Sequence, residues 1–178
     1  MIFLREIEKD DPALETIARI NEEAFPPSEF MPVAMMFDLT EKLDGSVWGI
    51  YTEKELAGFA MTVRNDKCEY FFFLAIDRKF RNQGLGKEAV KAFFREFPGR
   101  QVILDFEEMD PEADNYPMRL RRKNFYLRCG FHETGRFTMF RGNRFEVVCN
   151  GGELETESFR DLITKIHAVH PEYPDILI

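Results

Sequence analysis

Tyr70-Phe71-Phe72-Phe73-Leu74-Ala75-Ile76-Asp77, the polar loop that follows it and the run from Leu85 to Phe97 decide the fold. The first stretch is apolar without alternation, the pattern of a central strand covered on both faces. The last puts Ala89, Val90, Phe93, Phe94 and Phe97 on one side and Lys87, Glu88, Lys91, Arg95 and Glu96 on the other. That is an amphipathic helix, and Pro98-Gly99 stops it. Gln101 to Phe106 reads as the next strand. Strand, helix and strand in this order form a right-handed crossover, so the strands ending at Ile76 and Phe106 are expected to run parallel.

Working outward, Ile2 to Ile7 reads as a strand, and Asp10-Asp11-Pro12 supplies a capping carboxylate and a first-turn proline for a helix ending before Pro26-Pro27. Ser28 to Leu43 reads as a second, short helical region with Gly45 closing it. Ser46 to Thr52, Leu56 to Val63 and Cys68 to Ile76 form an antiparallel meander around polar turns. Beyond the crossover lie a turn-rich loop (Asp110 to Pro117) and a helix (Arg119 to Cys129) ended by Gly130. Two strands then flank Gly142-Asn143, and a helix from Ser158 to Val169 is capped by Thr156 or Ser158. The expected architecture is α/β (α+β): a mixed, mostly antiparallel seven-stranded sheet with helices on both faces. Residues 1–178 form one domain, with 150–178 a C-terminal helical extension of it.

Composition narrows the function. The chain has 178 residues, 44% of them apolar and 19 of them Phe, enough for a sizeable core. A formal charge of −8 disfavours nucleic acid and anionic lipid as bulk partners. Cys68, Cys129 and Cys149 are odd in number and lack any CxxC spacing, so neither a disulfide framework nor a zinc site is legible. His132, His167 and His170 offer no ligand spacing, and no metal is expected. Glu6, Glu8, Asp10 and Asp11 interrupt the N-terminal stretch too early for a signal peptide or a span. The expected location is the cytoplasm.

The loop carries the chemistry. In Arg81-Asn82-Gln83-Gly84-Leu85-Gly86-Lys87, two glycines stand where a helix begins, so bare backbone can approach a ligand. Orphan amides, the positive end of the helix dipole, Arg81 and Lys87 together complement a pyrophosphate. The spacing is not that of a nucleotide P-loop, and Glu88 stands where that motif needs Ser or Thr. The three-glycine dinucleotide fingerprint is absent as well.

With Arg81, Gly84 and Gly86 matching the pattern Arg or Gln, two residues, Gly, one residue, Gly or Ala, the chain resembles the GNAT superfamily of acyl-CoA-dependent N-acetyltransferases. Leu74-Ala75-Ile76-Asp77 and Phe80 are similar to the family's strand end and loop. Asn124-Phe125-Tyr126-Leu127-Arg128-Cys129-Gly130-Phe131 is similar to its later helix-to-strand motif. The resemblance spans most of the chain and implies the acyl-CoA N-acyltransferase fold with acetyl-CoA as co-substrate. It also implies that the backbone amides from Gln83 to Lys87 (Gln83, Gly84, Leu85, Gly86 and Lys87) hold the pyrophosphate, with Arg81 and Asn82 of the same loop binding the cofactor too, and that the strand through Leu74 and Ile76 pairs with the pantetheine arm.

The resemblance further implies that Tyr126 donates a proton to the departing thiolate. An attacking ammonium must also lose a proton, and Glu69, Glu107, Glu108 or water ordered by them are the candidate bases. Glu107 and Glu108, in an acidic stretch with Asp110, Glu112 and Asp114, are also the candidate contacts for a cationic acceptor. The competing reading pairs that stretch with the basic run Arg119, Arg121, Arg122, Lys123 and Arg128. Arg119 and Arg122 stand where many relatives carry Asn and Ala. The expected partners are acetyl-CoA and a small-molecule or peptide amine, with a homodimer kept open. The alternatives are a non-catalytic acyl-CoA-binding sensor, or an acyltransferase using another acyl chain or a hydroxyl acceptor.

Overall fold

The computed structural model describes residues 1–172. In chain order the elements are β1 (Phe3–Glu6), α1 (Leu14–Ala24), α2 (Val33–Lys42), β2 (Gly45–Tyr51), β3 (Leu56–Arg64) and β4 (Cys68–Ile76). They continue with α3 (Leu85–Glu96), β5 (Gln101–Glu107), α4 (Tyr116–Arg128), β6 (His132–Phe140), β7 (Asn143–Cys149) and α5 (Thr156–Val169). The strands form one mixed seven-stranded sheet in the order β1-β2-β3-β4-β5-β7-β6. The chain divides into two compact units, Met1–Arg64 with Phe71–Pro98, and Asn65–Tyr70 with Gly99 onward.

In the first unit, β1 and β3 both pair antiparallel with β2. The ring of Phe25, just after α1, meets Phe59 and Phe73, whereas Phe93 of α3 meets Trp48 and Phe71. Phe71 and Phe73 therefore face opposite helices although strand alternation would put them on one face. The backbone explains the switch. Asn65 N bonds Cys68 O and Asp77 N bonds Ala57 O, so the nine residues 57–65 on the β3 side span the same length as the ten residues 68–77 on the β4 side. β4 holds one extra residue, a β-bulge, which re-aims its side chains.

Two sequence expectations are corrected here. Gly45 does not close α2, which ends with Leu43 N on Leu39 O. Instead it opens β2, where a Cβ would stand 2.7 Å from Thr62 O. Pro12 precedes α1 rather than entering its first turn, and Asp11 accepts from Ala13 N at 2.8 Å in a turn ahead of the helix.

In the second unit, Gln101 N donates to Lys67 O at 2.8 Å, so β5 and β4 set out from the same end, the relation expected of a parallel pair. β7 runs antiparallel to β5 and to β6. The β6–β7 hairpin turns at Arg141 (φ 49°) and Gly142 (φ 80°), both left-handed as a tight two-residue turn requires, with Asn143 already in the strand. α4 begins at Tyr116 with Pro117 in its first turn, earlier than expected, because proline is well tolerated where no amide bond is lost. α5 begins at Thr156 without a side-chain cap, and Ser158 Oγ donates to Asn65 Oδ1 instead.

α5 buries Phe159, Leu162, Ile163 and Ile166, with the Phe159 ring 5.3 Å from that of Tyr70. Gln101 fastens the approach to this helix: its Nε2 donates to the carbonyls of Asn150, Gly152 and Glu153, and its Oε1 accepts from Glu155 N. Cys68, Cys129 and Cys149 are buried and no disulfide joins them, and burial pushes the Cys149 thiol up to about 11, which disfavours the nucleophilic thiolate. No helix among the described residues is long and apolar enough to cross a membrane.

Candidate active site

The first unit holds the glycine loop. In the second half of β4, Phe73 and Ala75 are buried while Leu74 and Ile76 are half-exposed, so this strand is not covered on both faces as its composition predicts. Buried and half-exposed residues alternate here, so one face of this stretch is less covered than the other. At the strand exit Asp77 is 2% exposed, accepts from Lys79 N at 3.1 Å, and meets the Arg19 guanidinium at 2.5 Å. Desolvation raises its pKa, but Arg19 and the Lys79 amide outweigh it and hold the carboxyl below the usual range. Asp77 thus stays charged and pins the turn Arg78–Phe80 that leads into the loop.

The loop is folded by its own side chains. Arg81 Nε donates to Ile76 O and Gln83 Nε2 to Lys79 O, both at 2.9 Å. Asn82 (φ 62°) and Gly84 (φ 80°) are left-handed, the second at no steric cost. The α3 ladder opens with Lys87 N and Glu88 N on Gly84 O, at 3.1 and 3.2 Å, which leaves the amides of Leu85 and Gly86 ahead of it. Residues 81–84 are exposed, and no atom lies within 4 Å of where a Gly84 Cβ would stand. Free donors, a helix dipole and open space coincide, which is the physical requirement for binding a phosphate through backbone.

The second unit holds Tyr126. Its ring lies parallel to Phe106 of β5, centroids 5.9 Å apart, and meets Phe131 edge-on at 5.6 Å. Its hydroxyl has no protein hydrogen-bond partner among the described residues. Burial pushes the phenol up to about 12 against the opposing charge of Arg122, so at neutral pH it is a proton-bearing donor.

The carboxylates named from sequence are held differently. Glu107 takes Arg119 at 3.1 Å, Arg122 at 3.6 Å and Asn115 Nδ2 at 3.3 Å. Glu108 meets Arg144 at 3.2 Å, and its carbonyl takes Arg119. Arg119 and Arg122 therefore serve the acidic segment after β5. Glu69 is fully buried in β4.

One acidic residue escaped sequence reasoning. Asp105 accepts from the Tyr70 hydroxyl at 3.0 Å and from the Thr138 hydroxyl, all within the second unit. Burial pushes its carboxyl up to about 6 against those two donors and a backbone amide. The available signal was a single charge inside the apolar run Val102-Ile103-Leu104-Asp105-Phe106.

The model of the Acetyltransferase (GNAT) family matches residues 12–131, well over half of the chain. The chain belongs to this family. GNAT proteins are transferases that move acetyl groups from acyl-CoA. Among solved structures the chain is similar to a GNAT-family protein of Bacteroides thetaiotaomicron, with 21% identity over 93% of this chain and 96% of that one and a TM-score of 0.76. It is also similar to the ribosomal-protein-S18-alanine N-acetyltransferase of Escherichia coli, with 16% identity, 86% and 96% coverage and a TM-score of 0.61. A third similar structure is a GNAT-family acetyltransferase of Elizabethkingia anophelis with acetyl-CoA bound, with 12% identity, 86% and 98% coverage and a TM-score of 0.58. At such identities the likeness shows the fold. No curated protein matches the chain.

Proposed function

We propose that this GNAT protein is an N-acetyltransferase that moves acetyl from acetyl-CoA to a primary amine by direct attack, with the chain working as one enzyme and residues beyond 150 as its extension. The observation that carries the reading is the exposed, left-handed approach to α3, whose amides are unspent and whose side chains are turned back to hold the loop. The backbone from Gln83 to Lys87 binds the pyrophosphate, with the charges of Arg81 and Lys87 adding attraction and Asn82 setting the turn. The half-exposed edge at Leu74 and Ile76 offers apolar contact and strand-type hydrogen bonds to the pantetheine arm.

Tyr126 assists the leaving sulfur. Passing its proton outright to a thiolate of ordinary basicity is uphill by about 3.5 units, roughly 5 kcal/mol, so its contribution is a hydrogen bond to the developing charge. Cys129 is buried and packs, in keeping with direct transfer rather than an acyl-enzyme. Glu107 and Glu108, read from sequence as acceptor contacts, act in this proposal chiefly as partners of Arg119, Arg122 and Arg144.

The test is a panel of amino acids, polyamines, aminoglycosides and peptides with acetyl-CoA, followed by free-thiol release above the hydrolysis background and by product mass. An acetylated amine is expected. Tight acetyl-CoA binding with no product across the panel would leave a sensor in place of an enzyme.

A further inference from the structure

The carboxylates of β5, β6 and β7, together with Glu108, divide sharply by their partners. Glu107 and Glu108 meet arginines, and Glu133 and Glu146 share Lys123. Among the described residues, Asp105 alone of these is bonded to no cation: both of its side-chain donors are neutral hydroxyls, both reach the same oxygen, Oδ2, and Oδ1 takes no side-chain donor. The residue is half-buried rather than sealed. Its placement along the strand adds a second observation. Successive strand residues point to opposite faces, so Asp105 and the Phe106–Tyr126 stack lie on opposite faces of β5. The attacking ammonium must shed protons while the departing thiolate gains stabilisation, so the reaction has work for a base distinct from Tyr126.

We infer that Asp105 is the group that takes a proton from the acceptor nitrogen, with Tyr70 and Thr138 as its positioning partners and Phe159 of α5 holding Tyr70 in place. The inference rests on acetyl transfer to an amine. As the nitrogen–carbon bond forms and the carbon–sulfur bond breaks, the arriving ammonium loses two protons: one goes to Asp105 and on to solvent, the other ends on sulfur. A carboxyl with its midpoint near 6 is mostly ionised at neutral pH and returns its proton within a turnover. The groups facing it are Tyr70 of β4 and Thr138 of β6, with Val147 its register partner on β7 and Phe159 of α5 behind Tyr70. Glu107, the next residue on the same face of β5, is already neutralised by two arginines.

α5 lies beyond the residues that the family model matches, so the ring that packs against Tyr70 comes from this chain's own extension. Asp105→Asn is the decisive variant, since it keeps size and both accepted hydrogen bonds while removing the base. Acetyl-CoA is supplied with spermidine, kanamycin and a peptide with a free amino terminus. The wild-type kcat/KM is expected to rise through a limb near pH 6. The variant loses that limb and falls by about 100- to 10,000-fold, with its acetyl-CoA Kd by calorimetry within about twofold. Tyr70→Phe removes one donor to the carboxylate and moves the limb to higher pH; Phe159→Leu moves it the same way by less.

A kcat/KM of Asp105→Asn within about threefold of wild type, or a limb that persists in it, overturns the assignment while leaving the transferase intact. If wild type binds acetyl-CoA yet acetylates none of the three amines, the transferase reading falls and takes the base with it. Should Asp105→Asn fail to fold by circular dichroism, Tyr70→Phe decides, and an unmoved limb overturns the proposal.

Discussion

The loop before α3 and the acidic segment after β5 handle charge in opposite ways. Between Arg81 and Gly86 the side chains fold back onto Ile76 O and Lys79 O, and the backbone donors at the helix start remain unused. At Glu107 and Glu108 the reverse holds: the side chains carry the charge, and Arg119, Arg122 and Arg144 consume it. A segment whose donors are left over is built to meet something outside the chain, and one whose charges are mutually satisfied is built to hold itself together. Net charge says neither, since the unused donors sit in a protein of formal charge −8.

The sharpest way to break this contrast is Gly84→Val. The position is left-handed and open, so the variant strains the turn and places a branched side chain over the free amides. CoA affinity by calorimetry is expected to fall by about 100-fold or more with the circular dichroism spectrum retained. Unchanged affinity would move the phosphate elsewhere.

Next in size is Tyr126→Phe. It removes only the unpartnered hydroxyl, and kcat is expected to fall by about 10- to 100-fold with acetyl-CoA Kd unchanged, the smaller end of the general-acid range because the phenol is held near 12. A loss confined to KM would make the tyrosine a binding residue.

Asp77→Asn tests what holds the loop. Removing a buried, hydrogen-bonded charge that Arg19 faces is expected to cost about 1 to 3 kcal/mol in chemical denaturation at pH 7. Because Asp77 is depressed below its unfolded value, its contribution is present above about pH 4 and fades as pH falls. The variant and wild type should therefore converge in acid. Asp105 should do the opposite. Its folded value of about 6 exceeds the unfolded one near 3.9, so wild type loses stability relative to Asp105→Asn as pH rises from about 4 to 6.

The smallest effect belongs to Glu107→Gln. With its charge already spent on two arginines, kcat/KM for a cationic amine is expected to change by less than about threefold, while stability drops by about 1 kcal/mol. A large, salt-dependent loss of kcat/KM would restore this residue as an acceptor contact.

Much of this was legible in the chain. β4 is predicted residue for residue, and α3 and β5 within one residue at one end, because uninterrupted apolar strands and a strongly one-sided helix are the clearest patterns a sequence offers. The bulge in β4 was not: consecutive phenylalanines look the same on either face, and only the pairing with β3 reveals the extra residue. The loop's glycines announced themselves, yet the inward use of Arg81 and Gln83 depends on contacts with Ile76 and Lys79 that spacing does not encode. Asp105 was hidden for a similar reason. Its partners Tyr70 and Thr138 are 35 and 33 residues away, so a lone acid in an apolar strand gave no sign of what it faced.

The grip of Gln101 on the turn from Asn150 to Glu155 carries one more consequence. One side chain inside the family-matched region satisfies three carbonyls and an amide of a segment outside it, and Asn65 does the same for Ser158 with its own amide and oxygen. An appendage joined this way is no longer optional. Cutting the chain after Cys149 would strip the Gln101 amide of its partners at 150–155 and the Asn65 amide of Ser158, and would uncover the Tyr70 ring, so the remaining sheet would carry polar groups and apolar surface that only the extension satisfies.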